Sequence, residues 1–449
     1  MTKWQGVGGW FKSFTNSHRF PIMLMLYLAF AGVIVHVYVL QIPNNLSASG
    51  LKAWNMGAAG WGGVVLGLPY LAWSISRITG RPSDFFQLFY SVIAVTSYIL
   101  LHSVLGPVPY LVSMAGTLIL VIPLLALDAF KRTSLSLSAR GFLQSPHIEA
   151  FIALVLLVVV IFAYMRPPAS AGFGLLDIYV RRLEGRQTYP AGSLLAYGLA
   201  MSMNGFSPYL AFRGGLKMRV DLLVLATVAV VFFYWLLGVK APILYIIVSF
   251  LLGLVVRKNI LKPMAYYCLV AVLFLWMLVL ADKAWGGNNS AIANYFFMRV
   301  FAVQAEMQGM YMKFLFDPKL IHWSWISGSS DPGFVATYYI GEHYANNADN
   351  NANTNAFLYQ ISAKGILGYL AAVAFVPLFL VALDRLFQAS RNPSYLFVGF
   401  LYGLLVVEQA FTVAMVSSGV AVLFLLTLFE RYTDPYGSRP TPAVPSFQN

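Results

Sequence analysis

Charge is what this sequence has least of. Of its 449 residues only 10% are Asp, Glu, Lys or Arg, and 59% are hydrophobic; a soluble domain carries about 25% charged residues. A mean hydropathy of +0.72 excludes a soluble fold of this length. Acids are scarcer still, 16 against 29 Lys and Arg, for a net charge of +13. That excess does not point to nucleic acid, because the basic residues fall in small groups between apolar spans, as topology signals do. The single cysteine, Cys268, sits within an apolar span, which excludes an internal disulfide framework and a cysteine-based metal cluster. Also missing are HExxH, a nucleotide-binding glycine loop and G-x-S-x-G. No Asp-x-Asp pair is present, so nothing supports a site for a metal and a nucleotide sugar. No cleavable signal peptide is evident. Pro21 to Gln41 is long enough to span and lacks a clear small-residue cleavage site, so it reads as a retained first helix.

What is present is a run of apolar segments of about 20 residues, the length a helix needs to cross a bilayer. They fall near 20–41, 57–76, 85–104, 108–127, 148–165, 193–212, 220–237, 242–256, 263–281, 365–383, 395–412 and 414–430. The fold class expected is therefore an all-α polytopic membrane protein of about twelve transmembrane helices, forming one domain over 1–431. A proline-rich tail, 432–449, is expected to be disordered and cytoplasmic. With the N-terminus inside, 18 of the 29 Lys and Arg lie on inner segments, and every inner segment is basic. That satisfies the positive-inside rule and predicts N-in and C-in.

Two long polar stretches, 166–192 and 282–364, then lie outside, and nine further basic residues lie in them. In the first, Arg181, Arg182 and Arg186 cluster; if the segment is helical, Arg182 and Arg186 share a face. Guanidinium forks match phosphate oxygens and stay charged, whereas the plainer reading is a solvated or headgroup-touching loop. In the second, Arg299, Glu306 and Lys313 recur at seven-residue steps, with Phe297, Val300, Met307, Tyr311 and Phe314 on the other side. This pattern predicts an amphipathic helix lying at the membrane surface. Arg299 suits pyrophosphate binding or surface anchoring, and Gly309 would let a ligand approach the backbone.

Trp323–Asn355 is rich in Ser, Gly, Tyr and Asn, including Asn353 and Asn355, and suits sugar hydroxyls and ring faces. Within it Glu342 or His343 could take a proton from an attacking hydroxyl, or simply hydrogen-bond within a polar loop. Lys240, in the tight outer turn Gly238–Pro242, could reach a phosphate or snorkel. Glu408, near the outer end of a span, is costly unless a cation pairs with it. Mid-span charges are nearly absent, which counts against a flippase or other transporter.

These residues carry a family resemblance. Arg181 is followed after ten residues by Gly192 (RRLEGRQTYPAG), and Arg299 after nine by Gly309 (RVFAVQAEMQG), each in one of the two long outer loops. With IYVRRLEGR, GVKAPIL, GEHYANNADNNANTNAF and VEQAFTVAMVSSGV, the chain resembles O-antigen polymerases of the Wzy family, most of all the Pseudomonas type. The likeness has landmarks over roughly 170–434; the first 165 residues match in hydropathy alone. One departure is that Met298–Arg299 stands where similar proteins can show paired arginines.

The resemblance implies a C-type glycosyltransferase of the polymerase/ligase superfamily in a Gram-negative inner membrane. A growing glycan on undecaprenyl pyrophosphate would be transferred to a hydroxyl of an acceptor lipid-linked repeat unit at the periplasmic face. Arginines would stabilise the leaving pyrophosphate, with no cofactor and no metal. Partners would be the lipid-linked donor and acceptor, membrane lipids and a chain-length regulator protein. Substrate-binding roles fall on Arg181, Arg182, Arg186, Lys240, Arg299, Asn353, Asn355 and Glu408, and catalytic roles on Glu342, His343 and Arg299. A related O-antigen ligase, acting on a lipid A core and relying on a loop histidine such as His343 or His322, stays open.

Overall fold

The computed structural model describes residues 19–45, 57–102, 109–133, 147–174, 177–285, 290, 292–317, 323–331, 333–345 and 351–430. His322, Asn346–Asn350 and the tail 432–449 lie outside the described residues. The chain is all-α but for one small hairpin. In order come α1 (Arg19–Asn45), α2 (Gly57–Ser76), α3 (Pro82–Leu101), α4 (Tyr110–Lys131), α5 (Ile148–Tyr164) and α6 (Ile178–Thr188). Then follow α7 (Leu194–Met201), α8 (Ser207–Lys217), α9 (Val220–Leu237), α10 (Ala241–Arg257), α11 (Met264–Ala284) and α12 (Val303–Leu315). The antiparallel strands β1 (Trp323–Ser324) and β2 (Gly328–Ser329) precede α13 (Ala336–Ala345), α14 (Ala356–Ser390), α15 (Ser394–Leu405), α16 (Phe411–Met415) and α17 (Val420–Leu428).

Among the described residues six helical spans are long and apolar enough to cross a membrane: Arg19–Leu40 within α1, and α3, α4, α9, α11 and α14. Three shorter apolar helices, α5, α10 and α15, match other expected spans. Of the remaining expected spans, 57–76 is the unbroken α2, and the others are held in shorter or broken pieces. A π-helical turn, Ser202–Phe206, joins α7 to α8. Gly419, at φ +80°, separates α16 from α17.

Local chemistry sets the helix ends. Pro82 and Pro242 sit in first turns, where a missing N–H costs nothing. The Ser193 hydroxyl caps α7 by accepting from Ala196 N at 3.2 Å. The expected loop boundary at Lys364 coincides with a break inside α14, where Lys364 and Gly365 leave helical geometry. Gly365 adopts φ +61°, which favours glycine. The hairpin fills this break. Ile366 N donates to Trp325 O at 2.7 Å, and the Trp323 indole donates to Ser362 O at 2.7 Å, so groups freed by the kink keep partners.

The helices run between two opposite ends. One gathers Asp84, Lys131, Glu149, Arg213, Ser394 and Glu430, tied by ion pairs and hydrogen bonds. The other, the loop end, gathers α6, the 238–240 turn, His102 and 351–355.

The helix expected over 291–315 is present, as a π-helical stretch (Ala293–Ala302) running into α12. It does not lie free on a surface. Phe30 of α1 packs edge-on against Phe301 with ring centroids 5.7 Å apart, and the Tyr311 hydroxyl donates to Ala352 O at 3.0 Å. Tyr311, Phe314 and Gln308 are wholly buried. The interfacial expectation is therefore corrected. The seven-residue polar stripe is one strip of a helix packed on its other sides, and Arg299 and Lys313 are its exposed members.

Candidate functional site

The first long loop folds back as α6. Its backbone comes close to α9 because residue 185 is glycine: a Cβ there would lie 2.5 Å from Leu237 Cδ2. Arg181 turns inward and is 0% exposed. Its guanidinium donates to the carbonyls of Gly172 and Gly174, and to those of Tyr234 (3.2 Å) and Trp235 (3.4 Å). The last two lie at the C-terminal end of α9, where the helix dipole favours a cation. This corrects the expectation for Arg181: its charge is satisfied within the protein, and it braces the loop instead of facing a ligand.

Arg182 and Arg186 fall on a helix, the condition under which they share a face. Arg182 lies over the Tyr179 ring, 5.8 Å from its centroid, and donates to Gly238 O at 3.4 Å. Lys240, two residues beyond Gly238, is exposed and meets no partner among the described residues. Arg186 is exposed and donates to the Tyr338 hydroxyl of α13 at 3.4 Å, joining the two long loops. Glu342 lies one turn beyond Tyr338 on the same helix, so residues four apart share a face. It is exposed and forms no ion pair among the described residues. Thus Arg182 reaches the turn that carries Lys240, and Arg186 reaches the helix that carries Glu342.

His343 is held differently. Its ring stacks on Tyr339 with centroids 4.0 Å apart, and Nδ1 lies 3.0 Å from Tyr339 O. Asn355 is fully buried, and its side-chain oxygen caps α14 by accepting from Phe357 N and Leu358 N, each at 3.1 Å. That cap role corrects the expectation that it binds glycan. Asn353 is exposed on the approach to α14.

Glu408 is exposed in the turn after α15, within electrostatic range of Tyr245 on α10. The lysine or arginine expected beside it is absent among the described residues. Gly192 is exposed at φ +91° with nothing near a Cβ, so its turn requires the conformation and not a close approach. Arg299 is exposed without a described partner, and no contact ties it to the cluster around the 238–240 turn.

Glu306 is half-buried against Tyr38 of α1, and desolvation pushes its carboxyl up to about 7. Among the described residues no three His, Cys, Asp or Glu side chains gather as metal ligands would. Two contributors were not visible in the pattern. Tyr338 carries the bridge between loops, and the spacing of Tyr338 and Glu342 is the signal that could have paired them. Tyr245 faces Glu408 from a helix 163 residues earlier in the chain, a separation no local spacing reveals. No family model, no curated protein and no solved structure matches the chain.

Proposed function

We propose that the chain is a membrane glycosyltransferase that polymerises lipid-linked oligosaccharide repeat units, with its loop end facing the periplasm and both termini in the cytoplasm. One observation supports the reading above the rest. At the loop end, Arg182, Arg186, Lys240 and Arg299 meet no carboxylate among the described residues, and Arg186 links the two long loops. Cations left unneutralised on one side of an apolar bundle are suited to an anion that arrives from the membrane, and a lipid pyrophosphate is such an anion.

In the reaction, an acceptor hydroxyl attacks the anomeric carbon of the donor glycan. The bond from that carbon to the pyrophosphate oxygen breaks, and the lipid pyrophosphate departs with the electron pair. Arg182, Arg186 and Lys240 stabilise the charge that develops on the leaving group, the kind of preorganised electrostatics that dominates such steps. Glu342, near the Arg186–Tyr338 contact, receives the hydroxyl proton. Arg299 holds the lipid-linked substrate from the second loop. The donor brings its own energy, so the chemistry needs no nucleotide at this face.

The test is purified protein in vesicles given lipid-linked repeat units. Ladders of lengthened glycan support the reading. Transfer to added lipid A core, without ladders, would make it a ligase; translocation without any product would make it a flippase.

A further inference from the structure

A cavity of about 340 Å³ opens at the loop end between α3, α4 and α12. That lies within the range of small-molecule sites, roughly 300–1,000 Å³. One wall is a single face of α12 and its continuation: Gly309, Met312, Lys313 and Phe316, at positions i, i+3, i+4 and i+7. The stripe explains the glycine. A side chain at position 309 would project from the same face, into the space. Phe316 is 40% exposed and offers a ring surface.

The opposite walls are polar in a particular way. His102 is buried, with Nδ1 3.2 Å from Tyr98 O and Nε2 3.1 Å from Ser113 Oγ. When Nδ1–H donates to the carbonyl, Nε2 is left to accept from Ser113, and burial lowers the pKa of the ring, which favours this neutral form. Asp317 accepts from the Tyr344 hydroxyl at 3.0 Å. A carboxylate has about four acceptor positions, so it can take more than one donor.

This inventory discriminates between ligands. A phosphate would find Lys313, but with the Asp317 carboxylate four residues on along the same wall, so that wall offers it no net positive charge. An alkyl chain would leave a carboxylate, a phenol and an imidazole unused. A hydroxyl-rich ring fits: hydroxyls donate to Asp317, and the C–H face packs on Phe316.

We propose that this cavity is a saccharide subsite, which seats a sugar ring of the lipid-linked oligosaccharide away from its pyrophosphate. The proposal rests on the function proposed above. It gives the spacing of Arg299 and Gly309 a physical content. Ten residues of helix separate them by roughly 15 Å along the axis, so one end of the helix meets the anion and the other the glycan.

The test reads occupancy directly. In a Cys268→Ser background the chain has no other cysteine. Val112→Cys then places a thiol on the cavity wall, and Ala191→Cys places one on the exposed first loop as control. Both are labelled with a sulfonated methanethiosulfonate. The probes are lipid-linked oligosaccharide extracted from the source cells, and the free oligosaccharide released from it by mild acid.

Both probes should slow labelling at position 112 at least fivefold and leave position 191 unchanged. Gly309→Leu, and independently Asp317→Asn, should abolish that protection and raise KM for the acceptor more than they lower kcat. Unchanged labelling at position 112 in a preparation that polymerises would overturn the subsite and spare the polymerase. Protection without polymerisation would keep the subsite and remove the polymerase. Equal protection by phosphatidylglycerol vesicles alone would assign the cavity to lipid headgroups and overturn the proposal.

Discussion

At the end of the bundle away from the long loops, four basic side chains are matched to acids. Arg213 bridges Glu149 (2.6 Å) and Glu430 (2.7 Å), Lys217 and Arg219 also reach Glu149, and Lys131 reaches Asp84 at 2.9 Å. At the loop end Arg182, Arg186, Lys240 and Arg299 meet no carboxylate among the described residues. The chain has only 16 acids, and it places several of them where the cations are structural. A buried pair is costly to break because the survivor is left charged in a poor solvent. An exposed, unmatched cation contributes little to stability and stays available to a ligand. The difference separates basic residues that hold the fold from basic residues that can act on something else.

The sharpest way to break this comparison is at the paired end. Arg213 is 4% exposed and its partners lie on two other segments of the chain. Arg213→Ala strands Glu430, leaves Glu149 to Lys217 and Arg219 alone, and should cost about 3–5 kcal/mol. The measurement is thermal unfolding of detergent-solubilised protein. A wild-type melting temperature would show that the ion pairs are incidental.

The converse belongs to the loop end. Arg186→Ala, Lys240→Ala and Arg299→Ala should each leave the melting temperature within a degree or two, and lower polymerisation about 10²–10³-fold, the usual cost of one charge-stabilising donor. Arg299→Lys should restore activity only in part, since a point charge cannot reproduce a fork. Arg181→Ala should behave like the paired end despite its place in the sequence. It strands four carbonyls' worth of hydrogen bonding, so it should lower stability and activity together. If Arg181→Ala lost activity at full stability, its burial would not describe its role.

Arg181 and Arg182 also mark how far the sequence was legible. Apolar runs of about 20 residues announced the all-helical membrane architecture, because length and hydropathy are local properties. The shared face of Arg182 and Arg186 followed from four-residue spacing once α6 was helical. The break at Lys364–Gly365 was read as a loop boundary for the right local reason, but α14 begins at Ala356, with Asn355 as its cap.

Nothing local distinguishes Arg181 from Arg182. Which of two adjacent arginines turns inward depends on the carbonyl ends of α9, more than fifty residues away. The pairing of Arg213 with Glu149 and Glu430 was likewise invisible, since its partners are set by packing. The amphipathic pattern of α12 was real, yet its apolar side faces other helices and not lipid.

Glu342 tests the catalytic half of the comparison. It is an exposed acid without an ion pair among the described residues, so Glu342→Gln should leave stability unchanged and cut turnover about 10²-fold, with substrate still bound. Normal turnover in Glu342→Gln together with loss in His343→Ala would move the proton to the histidine. The Tyr339 carbonyl beside Nδ1 would then leave Nε2 as the accepting atom.

The smallest effect comes from Glu306, an acid without an ion pair among the described residues. Glu306 stands seven residues from both Arg299 and Lys313 on the same strip, about 10 Å along the helix and too far for an ion pair. Its neighbour from α1 is Tyr38, which supplies no positive charge. Desolvation raises the carboxyl from 4.5 to about 7. Between those values the folded protein holds a proton that the unfolded chain has lost. This group's stabilising balance is therefore best at low pH, falls as pH rises through that window, and levels off above about 7.

Half-burial discounts the full linkage, leaving on the order of 2 kcal/mol. Glu306→Gln removes the titration while keeping the size. It should raise the melting temperature at pH 8, leave it unchanged at pH 4.5, and flatten the profile between. An identical profile in wild type and Glu306→Gln would mean that Glu306 finds a cation in solution. The loop end would then be matched like the other, and the contrast between the two ends would fail at this position.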